Sequence, residues 1–351
     1  AFEDGYRAPG QVIVLEARGR VGGRIHTSGA LGAAVDLGAT WIHGIEGNPL
    51  AALANAFSLE RTPTDYDSDE VFDAGGERFS SADLQPMSDL FDDAYDRVLD
   101  YRDDELDDDQ SLAATLADLD VERGLSDGER RILRWLFFTN VELDFTLGLA
   151  ELSSFELDED EEYSGEDELF PGGYSQIPAR HAAGLDVRLG QVVKAVEIRG
   201  RTVRVSTDKA VFEAQRCVVT LPLGVLKAGG VAFSPQLPPN LRTAVRRLGF
   251  GSAHRLALKF PSVFWDSGVQ FLGYASADGT SSAEFNDSSR YTGQPILTLN
   301  TCLGYSRTVE SQGVAVATDT AMEILRKIYG SSIPSPIASV ASDWNDSPFT
   351  R

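Results

Sequence analysis

Hydrophobic and polar positions change period several times along the chain, and each change predicts an element. Val12 to Leu15 form an unbroken apolar run, the pattern of a strand buried on both faces of a parallel sheet. Residues 48–56 predict a helix with Asn48 as its cap and Pro49 in the first turn, where a missing N–H costs nothing. A hairpin is expected over residues 70–79, turning at Ala74, Gly75 and Gly76. Leu84, Met87, Leu90, Phe91, Ala94, Val98 and Leu99 recur at helical spacing, so residues 84–101 read as a helix with an apolar stripe. Ser126 with Glu129 makes a capping box for a helix carrying Ile132, Leu133, Trp135 and Leu136. Residues 186–197, 201–207 and 216–220 read as strands, being alternating or continuously apolar and β-branched. A helix is expected after Leu241, then strands over 252–260, 269–275 and 296–302, then a helix over about 314–329 with Ala317, Ala321, Ile324, Leu325 and Ile328 on one side.

The 351 residues, 42% hydrophobic and 24% charged, suffice for two ordinary domains with a substantial core. No apolar run reaches the ~20 residues that cross a bilayer, and no charged-then-apolar leader opens the sequence, so a cytoplasmic setting without membrane contact is the expectation. The formal net charge of −23 argues against nucleic acid as a partner, because phosphate contacts need clustered cations. Only 5 lysines stand beside 26 arginines, against 54 acids. Two readings of that balance stay open: a surface adapted to high salt, or a negative field that attracts polycations. Cys217 and Cys302 give no disulfide framework and read as two small buried residues. His26, His43, His181 and His254 show no metal-ligand spacing, and no nucleophile elbow supports a serine hydrolase.

Glu16 closes the first apolar run. In a doubly wound sheet an acid at that point accepts hydrogen bonds from the ribose hydroxyls of a dinucleotide. Arg18 and Arg24 supply cations for a pyrophosphate, and Gly22 and Gly23 let the backbone approach it. Residues 1–10 read as a helix end and a turn. The strand and GxGxxG turn that ordinarily precede them are not in the sequence, so a longer parent polypeptide is expected. The acidic run of residues 156–168 reads as a hydrated loop, or as an entrance where Glu166 or Glu168 holds a distal ammonium.

EARGRVGGRIHT followed by DLGATWIHGIEGNP resembles the flavin-containing amine oxidases, and TWIHG resembles their polyamine oxidase branch. The likeness continues in order through FPGGYSQI, VVTLPLGVLK, FSPQLP, RLGFG and KFPSVFWD. It implies an α/β fold with an interrupted Rossmann-like FAD-binding domain, residues 1–80 and 169–238, and an α+β substrate domain, residues 81–168 and 239–351. The resemblance also implies FAD as cofactor, a small-molecule amine and O2 as partners, no metal, and hydrogen peroxide as a product. Cofactor contacts are implied for Glu16, Ala17, Arg18, Gly23, Arg24, Gly38, Ala39, Thr40, Trp41, Val193, Thr220 and Leu221. His43 matches the histidine in the amine tunnel of the polyamine branch. Arg255 stands where the family ordinarily has a lysine, in the segment HRLALKF; both are taken as catalytic candidates. Arginine is bulkier and planar, so that exchange is not conservative. Lys259 shares the face of Arg255 but lies about 13 Å along the strand, too far to replace it. Oxidation of another amine or an L-amino acid, and an inactive interaction module, remain alternatives.

Overall fold

The structure, a computed structural model, describes residues 12–157, 163–279 and 281–350. The helix end and turn expected over residues 1–10, and the centre of the acidic run at residues 158–162, lie outside the described residues.

A six-stranded sheet positions most of the site. Its order is Ala338–Ala341, Ala253–Lys259, Ile296–Cys302, Ala283–Asp287, Phe271–Tyr274, Asp69–Phe72, antiparallel throughout except for the last pair. The sheet thus takes its edge strand from within the first 80 residues. Alternation gives it two unlike faces. On one, Leu256, Leu299, Phe285 and Leu272 sit in register across four strands and pack under Ala317, Ala321 and Leu325 of the helix Val314–Tyr329. These side chains are almost fully buried, and truncating one such leucine to alanine costs about 2–5 kcal/mol.

The opposite face carries Arg255, Asn300, Glu284 and Gly273 in one row. Its far end is covered by helices: Val71 packs with Met87 of Ser81–Glu105 and with Ile132 and Trp135 of Asp127–Phe137. Trp135 lies so close over Gly273 that a Cβ there would fall 2.3 Å from the indole. At the Arg255 end the cover is the segment from Arg24 to His43.

The predicted caps are present. Asn48 Oδ1 accepts from Leu50 N at 2.9 Å at the start of Pro49–Ala56, and Ser126 and Glu129 close the capping box of Asp127–Phe137. The helix expected over 84–101 runs from Ser81 to Glu105.

Several local expectations are corrected. The strand Ile13–Leu15 pairs in parallel with Asp186–Arg188 on one side. No second neighbour stands among the described residues, and Ile13 and Val14 are 40% and 38% exposed instead of buried on both faces. The strand expected over 186–197 breaks at Gly190 (φ +64°) into Asp186–Arg188 and Val193–Arg199. Residues 216–220 are irregular and exposed, Val218 by 85%. The ladder partner of Thr202–Thr207 is instead the preceding stretch Val211–Ala214, which a short turn folds back into register. Cys217 is exposed, whereas Cys302 is buried as expected. Strands Ala283–Asp287 and Ala338–Ala341 and helices Gln176–Ala182 and Leu303–Gln312 add to the predicted elements. No helix among the described residues is long and apolar enough to cross a membrane.

Candidate functional site

At the first half of the site, Glu16 stands at the carboxyl end of Ile13–Leu15. Its N–H donates to Arg188 O (3.0 Å), its carbonyl accepts from Gln191 N (2.8 Å), and Arg18 O accepts from Gly190 N (2.9 Å). The turn leading to Val193 is thereby zipped onto residues 16–18, with Ala17 between the two contacts. Glu16 Oε1 accepts from Arg18 N at 2.7 Å; its second oxygen has no partner among the described residues. Gly22 and Gly23 have φ of +101° and +56°, and nothing lies within 4 Å of a Cβ built on Gly23. Bare backbone therefore faces outward beside that acid. Arg24 is exposed, while its carbonyl meets Ala39 N at 3.3 Å and would lie 2.0 Å from a Cβ on Gly38. Any side chain at Gly38 would force these strands apart.

Arg18 turns toward the end of the chain. Its guanidinium donates to Thr350 Oγ1 and lies over the rings of Trp344 and Phe349, 5.7 and 5.5 Å from their centroids. Thr220 is exposed and Leu221 half-buried on irregular backbone; among the described residues no hydrogen bond ties either to Glu16 or to Arg255.

A second group begins one step along from Gly38. Arg255 donates to Thr40 Oγ1 and lies 5.0 Å over the Trp41 ring. Trp41 donates from Nε1 to Thr64 Oγ1 at 2.9 Å, and its ring centroid is 6.5 Å from that of His43. His43 Nδ1 meets Asp167 Oδ2 at 2.7 Å, the Tyr66 hydroxyl donates to the same oxygen at 2.8 Å, and Gly44 N donates to Asp167 Oδ1 at 2.8 Å. Tyr66 stacks on Phe271 with centroids 5.4 Å apart. These residues border a cavity of about 800 Å³ whose lining includes Asp65, Tyr66, Asp167, Gln270 and Tyr291. Lys259 is engaged elsewhere, donating to Leu31 O at 2.8 Å.

Burial shapes the charges. It pulls the Arg255 guanidinium below its ordinary value, against the pull of Tyr291, Asp36 and Glu284 in the opposite direction. Asp36 is pushed up to about 6 by burial, although the Thr27 hydroxyl and Tyr174 N–H both donate to it. Burial raises Glu284 likewise, opposed by hydrogen bonds from Thr139 and Asn300.

The acidic entrance differs in detail from the sequence expectation. Glu166 is exposed on the cavity lining, but Glu168 is turned away and paired with Arg61 at 2.7 Å. The acid that contacts His43 is Asp167, between them. Glu168–Leu169 pairs antiparallel with Trp41–Ile42, Trp41 opposite Leu169 and Ile42 opposite Glu168. Continuing that register sets His43 across from Asp167. No local signal in an acidic run announces such a pairing; only the long-range register does.

The residues fit a dinucleotide cofactor. An acid with a spare oxygen ends a parallel strand, positive-φ glycines expose N–H groups next to it, and a cation-bearing crossing leads directly to a polar, aromatic cavity. This fold and site define a nucleotide-dependent oxidoreductase. The family model described as flavin containing amine oxidoreductase matches residues 6–351, and the chain belongs to that family. Polyamine oxidase 4 of Oryza sativa subsp. japonica is 31% identical over 355 residues, 96% of this chain and 72% of that one. Polyamine oxidase 2 of Arabidopsis thaliana is 30% identical over 348 residues, 95% and 70% of the two chains. A solved structure of putrescine oxidase, wild type bound to putrescine, superposes with a TM-score of 0.75 at 19% identity, over 96% of this chain and 80% of that one. The protein is a flavin-dependent amine oxidase with FAD as its cofactor and the two-domain α/β architecture of that family.

Proposed function

We propose that the substrate is a polyamine such as spermine or spermidine, oxidised next to the amine nitrogen to an imine that water hydrolyses to an aldehyde. The observation that carries this reading is the cavity that joins Trp41 and Arg255 to an acid-lined wall, where Asp65, Asp67, Glu166 and Asp167 all contribute. Such a wall suits a ligand with several ammonium groups. The names of the plant relatives point the same way. Bound FAD supplies the hydride acceptor, with O2 then reduced to hydrogen peroxide.

The chain's own residues bind and orient. His43, held by Asp167, and Tyr66, held by the same carboxylate, set the width of the cavity mouth. Trp41, pinned by Thr64, gives an apolar wall along which a methylene chain packs. Arg255 places a cation at the inner end, which disfavours a protonated nitrogen there and so selects the neutral amine that oxidation requires. An L-amino acid would need an arginine for its carboxylate; Arg255 is committed to Thr40 and Trp41, and the acids lining the cavity repel a carboxylate. The FAD-loaded chain given spermine, spermidine, a diamine and a set of L-amino acids is expected to release peroxide from the polyamines. Peroxide from L-amino acids with none from polyamines would overturn the assignment.

A further inference from the structure

We propose that Glu284, with the side-chain carbonyls of Asn300 and Asn286, forms a cation subsite that receives a charged ammonium of the substrate and so selects di- and polyamines over monoamines. This rests on the amine oxidase reading of the same cavity.

Four observations lead to it. First, Glu284 lies on the face of the sheet that carries Arg255, with Asn300 directly between them in register. The two charged residues are two strands apart, about 10 Å at the usual inter-strand spacing, so Arg255 does not neutralise Glu284 by contact. Second, the carboxylate is held from both sides: Asn300 Nδ2 donates to Oε1 at 3.2 Å and Thr139 Oγ1 to Oε2 at 2.9 Å. Thr139 belongs to the π-helical turn Phe138–Glu142, and such turns recur at functional sites. Third, donation from Nδ2 leaves Asn300 Oδ1 as an acceptor, and it has no partner; the residue is only 5% exposed. Asn286, two residues along from Glu284 on the same face and 2% exposed, has neither amide atom paired. Fourth, Asn286 stands opposite Phe271, whose ring carries Tyr66 of the cavity wall.

Buried amides without partners are uncommon and mark a missing ligand group or a destabilised site. Here the unpaired oxygens surround a carboxylate that has neutral donors but no contacting cation. A primary or secondary ammonium satisfies all of them at once, since it brings positive charge and two or three N–H donors. The cation Arg255 at the inner end repels a second ammonium, so the charged end of a diamine is sorted toward Glu284. A monoamine has no group to place there.

The test compares 1,4-diaminobutane with n-butylamine on the FAD-loaded chain, in wild type, Glu284→Gln and Glu284→Asp, with folding checked by circular dichroism. Glu284→Gln is expected to raise the diamine KM relative to the monoamine KM about tenfold or more, whereas Glu284→Asp, which keeps the charge, shifts that ratio less. Calorimetric binding of each amine gives a readout independent of turnover. Diamine binding that weakens in Glu284→Gln and not in Glu284→Asp supports the subsite even if no amine is oxidised, an outcome that would sink only the oxidase reading. Equal KM changes for the two amines, or diamine binding unaltered in Glu284→Gln, would overturn the subsite. Should Glu284→Gln not fold, Asn286→Ala is expected to lower diamine affinity selectively, and no change there would count against it.

Discussion

Arg255 lies 5.0 Å over the ring of Trp41 and donates to Thr40 beside it, so the position of the family's usual lysine is filled by a planar cation clamped to the cofactor-side segment. Its charge is therefore fixed in place at the inner end of the cavity. A fixed cation lowers the pKa of an amine bound next to it. In Arg255→Met, the rise of kcat/KM with pH is expected to move to higher pH by about one unit, because more hydroxide is then needed to deprotonate the bound amine. Arg255→Lys should leave that limb in place while turnover falls, since lysine keeps the charge and loses the planar stack. A pH–rate profile of the three forms checks both statements.

Asp167 anchors one wall through Gly44 N, Tyr66 and His43. The His43 contribution is small for stability, because its side chain is 71% exposed. His43→Ala should cost less than about 1 kcal/mol. Asp167→Ala strips an acceptor from a backbone N–H and a phenol as well, and should cost about 1–2 kcal/mol. Denaturant midpoints order the two variants, and a larger loss in His43→Ala would contradict the arrangement.

Asp36 gives a pH dependence of definite sign. Burial raises its folded-state value from 3.8 to about 6, so between those values the folded protein binds the proton more tightly than the unfolded chain. Stability from this group is therefore greatest in acid and declines as pH rises from about 4 to 6. The decline amounts to about 3 kcal/mol at 1.36 kcal/mol per unit. Asp36→Asn keeps an acceptor for Tyr174 N and removes the titration. The difference in unfolding free energy between wild type and variant should fall by about that amount across the window, and a difference independent of pH would show that Asp36 does not titrate there.

Glu16 is assigned to the cofactor's ribose. Glu16→Ala should weaken FAD binding by about 1.5–3 kcal/mol, the range for hydrogen bonds to a charged acceptor. Titration followed by flavin fluorescence measures it, and unchanged affinity would remove Glu16 from the cofactor site.

Local signals in the sequence were enough for the capped helices, for the helix Val314–Tyr329 and for the strands Ala253–Lys259 and Ile296–Cys302, because their periodicity and caps are set by near neighbours. The Glu16 turn and the adjacency of Arg255 to Thr40 and Trp41 followed from motif resemblance. Two features were not legible, each for a physical reason. The strand Ala283–Asp287 alternates Ala, Glu, Phe and Asn, but it is short and follows a Ser-rich stretch, and its polar side faces a cavity instead of solvent. Asp167 is one of several acids in a run, singled out only by pairing across more than 120 residues. The exposure of Val14 and Val218 shows the converse limit: an apolar run announces affinity for a buried place, and only its neighbours decide whether it has one.

The central claim is that this site passes electrons from an amine to bound FAD. Its most direct measurement is the visible spectrum of the FAD-loaded chain mixed with spermine or spermidine in the absence of air. The account predicts bleaching of the flavin band, recovery on admitting oxygen, and one peroxide for each cycle. A stable yellow complex left unbleached by every amine would contradict it.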